Sequence, residues 1–216
     1  MTKVLGSFLR CIVGLVIVGL CACSNPYIQK SEKKNGYEGN AANVLVVIDT
    51  SHLAKAFMEV PGSYQANQRH QELSKAINAF SQSIKIKLFA EGVVANVESL
   101  DPTADKPAIS RFISKYRARQ LLILATNQFE TSTTVRTGYA PSSTYNGWTG
   151  KLSWVMSFFD LDKTASPEGK PVWKANSDLF NFGPWVCKGD DYVGCSDRLA
   201  SVIVGQMKKD NLIVSK

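Results

Sequence analysis

Asp49-Thr50-Ser51-His52 closes an apolar run, Val44-Leu45-Val46-Val47-Ile48, with a carboxylate, two hydroxyls and an imidazole. Oxygen donors at the carboxyl end of a buried strand suit a small polar ligand, because open α/β sheets bind ligands at that edge. Asp49 and Ser51 are therefore the candidate ligand-facing pair. The same residues are also good turn formers, since short polar side chains hydrogen-bond nearby backbone. A second constellation is Cys187 and Cys195, which flank a segment with two glycines and two aspartates. Two cysteines this close in an exported chain read as a disulfide, worth about 2–3 kcal/mol in the chain-entropy picture. Zinc would need four closely placed ligands, and outside the first 23 residues only His52 and His70 stand beside those two thiols. No Gly-x-Ser-x-Gly elbow, Walker loop or Gly-x-Gly-x-x-Gly fingerprint occurs. The expectation is a protein that is not an enzyme and uses no metal or cofactor.

A third cysteine carries the most specific pattern. Lys3 and Arg10 precede an apolar run over 11–20, and Leu20-Cys21-Ala22-Cys23-Ser24 follows. A basic head, a short apolar stretch and small residues before a cleavage point form a secretory signal. The run is shorter than the roughly 20 residues that span a bilayer. Leu-x-Ala-Cys resembles the lipobox of bacterial lipoproteins, whose cysteine is diacylated and becomes the new N-terminus. Cys23 matches that role, with Leu20 three residues before it and Ala22 one before. Cys21 does not, because Leu20 would occupy the cleavage position. The resemblance implies a signal peptide over 1–22 and a lipid, palmitate included, on Cys23. Ser24 replaces the Asp that retains such proteins at the inner membrane, so the expected location is the outer membrane, facing the periplasm. Asp49 and Ser51 also resemble the start of the Asp-x-Ser-x-Ser cation motif of von Willebrand A domains. Leu53 stands where the second serine belongs, which removes a ligand.

The elements that must position these residues follow from hydrophobic period. Residues 24–43 are polar, with Pro, Gly and Asn and no apolar repeat, and read as a flexible tether. A single domain over 44–216 then begins with a strand buried on both faces. Leu73, Ala76, Ile77, Phe80, Ile84 and Leu88 give a helical stripe that Gly92 ends. A strand over 93–100 follows. Asp105 and Pro107 open a second helix with Ile109, Phe112, Ile113 and Tyr116 inward. Residues 121–125 form another fully apolar strand, and the Thr-rich stretch 127–137 can continue it. A loop is expected over 138–147. An antiparallel hairpin then runs through 151–158 and 172–175. Ser196 is the expected cap of a last helix, with Leu199, Val202, Ile203 and Met207 inward. The sum is an α/β (α+β) domain, one mixed sheet with three main helices packed on it.

Aromatics crowd the last third: Trp148, Trp154, Trp173, Trp185 and Tyr192 among them. Most belong in the core. Trp185 and Tyr192, beside the two cysteines, are the candidate partner surface.

Charge narrows the partners. The net charge is +7, and losing Lys3 and Arg10 with residues 1–22 leaves +5. Cations are interleaved with acids, so there is no basic stripe and nucleic acid is not an expected partner. The order of segments 44–48, 73–92, 121–125, Val172-Trp173 and 199–213 resembles small domains of Gram-negative lipoproteins. These are the anticodon-binding-like domain of the curli-secretion lipoprotein, the N-terminal domain of the Tol-system periplasmic protein and the penicillin-binding-protein activators. The resemblance implies an accessory or scaffolding role without catalytic residues. The expected partners are the membrane, through the lipid, and another envelope protein. Binding of a small molecule or cell-wall glycan is the alternative. The oligomeric state is open.

Overall fold

A computed structural model of the chain describes residues 26–51, 64–100, 108–137, 144–162, 169–182 and 192–214. Their order is β1 (Ile28–Lys33), β2 (Asn43–Asp49), α1 (Tyr64–Ala90), β3 (Val94–Leu100), α2 (Ala108–Tyr116), β4 (Gln120–Thr137), β5 (Thr144–Asp160), β6 (Trp173–Phe182) and α3 (Tyr192–Lys209). The six strands form one mixed sheet in the order β1-β6-β5-β4-β2-β3. This is the α/β architecture expected from the sequence.

β2 is the central parallel strand, paired with β3 on one side and β4 on the other. Val44 to Ile48 are fully buried, as an unbroken apolar run requires. From β2 the chain steps to β3 through α1, then back across β2 to β4 through α2. Right-handed crossovers in opposite directions place their helices on opposite faces. The core divides accordingly. Val44, Val46 and Ile48 share a cluster with Phe80, Ile84 and Leu88 of α1, with Leu199, Ile203 and Met207 of α3, and with Trp154 and Trp173. Leu45 and Val47 share a smaller cluster with Ala108, Leu121 and Phe159, against which Phe112 of α2 packs. The rings of Phe80 and Trp154 lie 5.5 Å apart at 43°.

The three helices among the described residues stop in the same way. The N–H of Gly92 bonds the carbonyl of Phe89, and that of Val93 bonds Leu88. Arg117 and Ala118 repeat the pair on Ser114 and Ile113, and Asn211 and Leu212 repeat it on Lys208 and Met207. This is the Schellman pattern, which needs a left-handed residue. Gly92, Arg117 and Asn211 supply it with φ of 78°, 48° and 53°. The stop at Gly92 was legible in the sequence; the stop at Arg117, with its side-chain strain, was not.

Three expectations are corrected. Residues 28–42, read as part of a flexible tether over 23–43, belong to the domain. β1 pairs antiparallel with β6, from Ile28 opposite Ser177 to Lys33 opposite Trp173. Periodicity missed it because an edge strand is held by backbone bonds, and Ile28 is its one partly buried apolar residue packed on the core. Ser196 does not cap α3. The helix begins four residues earlier, and Ser196 lies within it, fully buried with no hydrogen-bond partner for its hydroxyl among the described residues. The 138–147 loop is also shortened, since β5 already starts at Thr144.

Candidate functional site

Asp49 sits where expected, half-buried at the carboxyl end of β2. Its Oδ1 accepts the backbone N–H of Ser51 at 2.9 Å. Its carbonyl accepts the Thr126 hydroxyl at 3.2 Å, and the Thr50 hydroxyl donates to the Leu100 carbonyl at 3.3 Å. These bonds tie the ends of β3, β2 and β4 together. The structure thus brings Asp49 and Ser51 together, and one carboxylate oxygen works as a turn former. Ser51 is exposed. His52 and Leu53 lie outside the described residues. Among the described residues no group of three or more His, Cys, Asp or Glu could hold a metal ion.

The aromatic candidates divide. Trp154 and Trp173 are each 1 % exposed and belong to the core. Trp173 Nε1 donates to Asp210 Oδ2 at 2.7 Å, and Gln206 Nε2 joins Asp210 (3.0 Å) to the Ser31 hydroxyl (2.8 Å). Partial burial would raise the Asp210 pKa, but the bonds from Trp173 and Gln206 outweigh it and hold the carboxyl below its usual range. This group fastens α3 to β6 and β1. Trp185 and Cys187 lie outside the described residues, as does Cys23. Tyr192 is the first residue of α3. Cys195 is buried in the core and is not a free thiol.

The most developed polar cluster was invisible in the sequence. Below β1 the chain turns at Gly36, φ 74°, and inserts Tyr37 under the amino end of the sheet. The Tyr37 hydroxyl donates to Asp160 Oδ2 at 2.9 Å, and both residues are 6 % exposed. Gln120 accepts the Ala42 N–H at 2.9 Å and donates to the Asn40 carbonyl at 2.8 Å. The Ala41 N–H bonds the Leu212 carbonyl at 2.7 Å, and Asn40 Oδ1 accepts the Val214 N–H at 3.0 Å. Burial pushes the Tyr37 phenol pKa well above its usual value, and the Asp160 carboxylate adds to the shift. The sequence signal was one tyrosine between Gly36 and Gly39 in a polar stretch. A Cβ at Gly39 would collide with the Tyr37 ring. The chemistry of this cluster is anchorage: it fixes residues 34–42 against β4, β5 and the C-terminal segment.

On the other face, Glu98 of β3 accepts from the Tyr116 hydroxyl and pairs with Lys115 at 2.8 Å. Partial burial would raise its pKa, but Lys115 and Tyr116 hold it below normal. Among the described residues no helix is long and apolar enough to cross a membrane.

No protein-family description matches the chain, and no curated relative does. Among solved structures it is similar to a minor lipoprotein from Acinetobacter baumannii, at 10% identity and a TM-score of 0.33, over 78% of this chain and 93% of that one. It is also similar to a neuraminyllactose-binding hemagglutinin homolog from Helicobacter pylori, at 14% identity and a TM-score of 0.33, over 83% and 87%. At that score neither likeness carries an argument about fold or function.

Proposed function

We propose that the chain is a lipid-anchored outer-membrane lipoprotein that faces the periplasm and serves as a non-catalytic scaffold for another envelope protein. The observation that carries this reading is the position of β1. It begins five residues after Cys23 and is built into the sheet. Five residues reach at most about 18 Å, so a lipid on Cys23 holds the domain close to the bilayer. Such a short, structured attachment suits a protein that presents a surface beside the membrane. The lipobox-like Leu20-Cys21-Ala22-Cys23 supports the anchor, and Ser24 supports the outer membrane. A Cys187–Cys195 disulfide would brace the approach to α3, consistent with Cys195 not being free. Trp185 and Tyr192 beside it are the proposed partner surface. The order β2-α1-β3-α2-β4 supports the likeness to anticodon-binding-like lipoprotein domains.

In-cell crosslinking of the full-length protein with mass spectrometry tests the reading. One recurrent envelope partner supports it; a partner set no different from that of an unrelated lipoprotein defeats it. Cys23→Ser should release the protein from the membrane fraction. A second reading, a small-molecule or glycan binder, draws on Asp49 standing half-exposed at the carboxyl edge of the parallel strands. A thermal shift with glycan fragments, lost in Asp49→Ala, would favour it.

A further inference from the structure

β4 and β5 are far longer than the sheet needs. β4 leaves β2 after Ala125, opposite Asp49, and continues to Thr137 paired with β5 alone among the described strands. β6 accompanies β5 only as far as Gly150, opposite Phe182. Among the described residues, 131–137 and 144–149 therefore form a ribbon of two strands with no third strand beside it. Such a ribbon is marginal in water, and its open edges invite a covering surface.

The position of the tether says what that surface is. Ile28 pairs with Ser177, Ser177 with Trp154, and Trp154 with Thr126. These residues form one row across the sheet, at the end where the ribbon departs. Thr126 to Thr137 is eleven steps, about 36 Å at roughly 3.3 Å each. The chain from Cys23 to Ile28 can span at most about half of that. A lipid on Cys23 therefore puts the bilayer surface nearer to this row than the ribbon tip is. If the ribbon pointed straight at the bilayer, its tip would pass well beyond the interfacial zone, about 5–8 Å deep on each side. Its edges, which no described strand pairs, would then lie in hydrocarbon, which backbone polar groups do not tolerate. If the domain stood the other way up, the tether would have to run back past the whole of β1, about 17 Å. It would then still have to clear the 34–42 turn below, beyond its reach. What remains is a ribbon lying along the surface.

The residue types agree. The ribbon carries Tyr145 and Trp148, with Arg136 as its one charged residue. Tyrosine and tryptophan suit the headgroup level, where a ring meets apolar chains and a polar tip meets water. We propose that the β4–β5 ribbon is a second membrane contact that lies in the headgroup zone of the bilayer to which Cys23 is tied. The proposal rests on the lipid anchor inferred above.

The test uses the full-length lipidated protein in phosphatidylethanolamine/phosphatidylglycerol vesicles containing phosphatidylcholine brominated high on its acyl chains. Tryptophan emission is compared between the native protein and Trp148→Phe, with the circular dichroism of both recorded. The expected result is bromine quenching in the native protein, most of which disappears in Trp148→Phe. Hydrogen exchange gives a second readout: amides of 131–137 and 144–149 should gain protection on vesicles. A protein that floats with the vesicles and carries the acyl mass, yet shows neither quenching nor added protection, overturns this inference and leaves the anchor standing. Absence of acyl mass and of flotation overturns both. Protection that rises with protein concentration in buffer, without quenching, assigns the ribbon to a second copy of the chain and overturns the membrane contact.

Discussion

Replacing Tyr37 by phenylalanine removes one hydroxyl and leaves the ring in place. That hydroxyl donates to Asp160 at 2.9 Å in a site where both residues are 6 % exposed. A hydrogen bond to a charged acceptor contributes about 1.5–3 kcal/mol, and burial removes the water that would replace it. A domain of this size unfolds in urea with m of about 2–3 kcal/mol/M, so the midpoint should fall by about 0.5–1.5 M at constant m. The pH dependence adds an independent signature. The phenol is raised in the folded state, so its contribution is complete below the unfolded pKa of about 10 and is lost as pH rises beyond it. Native protein should lose stability on that alkaline limb, and Tyr37→Phe should lose less. Urea unfolding of the soluble Cys23→Ser form at neutral pH and above pH 10 reads both effects. A midpoint unmoved by Tyr37→Phe, with the alkaline limb unchanged, would refute the reasoning: residues 34–42 would then hold nothing.

Three further substitutions follow from the same geometry. Gly39→Ala places a methyl group against the Tyr37 ring. It should lower the urea midpoint at least as far as Tyr37→Phe, and the two together should be clearly less than additive. Arg117→Gly relieves a left-handed residue at the end of α2, φ 48°. A gain of up to about 1 kcal/mol is expected, seen as a higher melting temperature; a loss would show that the Arg117 side chain matters more than its backbone. Ser196→Ala separates two pictures of α3. A capping serine would cost about 1 kcal/mol when replaced, whereas the buried, unpartnered hydroxyl within the helix should be neutral or stabilising to lose. Calorimetry of the variant decides by sign.

The sequence determined what depends on local pattern. Five adjacent apolar residues, 44–48, can be satisfied only by burial on both faces, so the central strand was readable from the chain alone. The stripe from Ala76 to Leu88 and the Gly92 stop likewise carry their own geometry. Asp49 was legible as the end of the central strand because a strand end is a local event. Tertiary structure decided whatever depends on partners distant in the chain. Ser31 meets Gln206, Tyr37 meets Asp160 and Asn40 meets Gln120 across 80 to 175 residues of sequence, and no periodicity encodes such pairs. β1 owes its existence to the edge that β6 offers, and β4 and β5 run on together past the last described pairs of β2 and β6. The apolar pattern chose the core. Backbone hydrogen bonding at the sheet edges, which is indifferent to side-chain type, chose how the chain enters the domain and what projects from it.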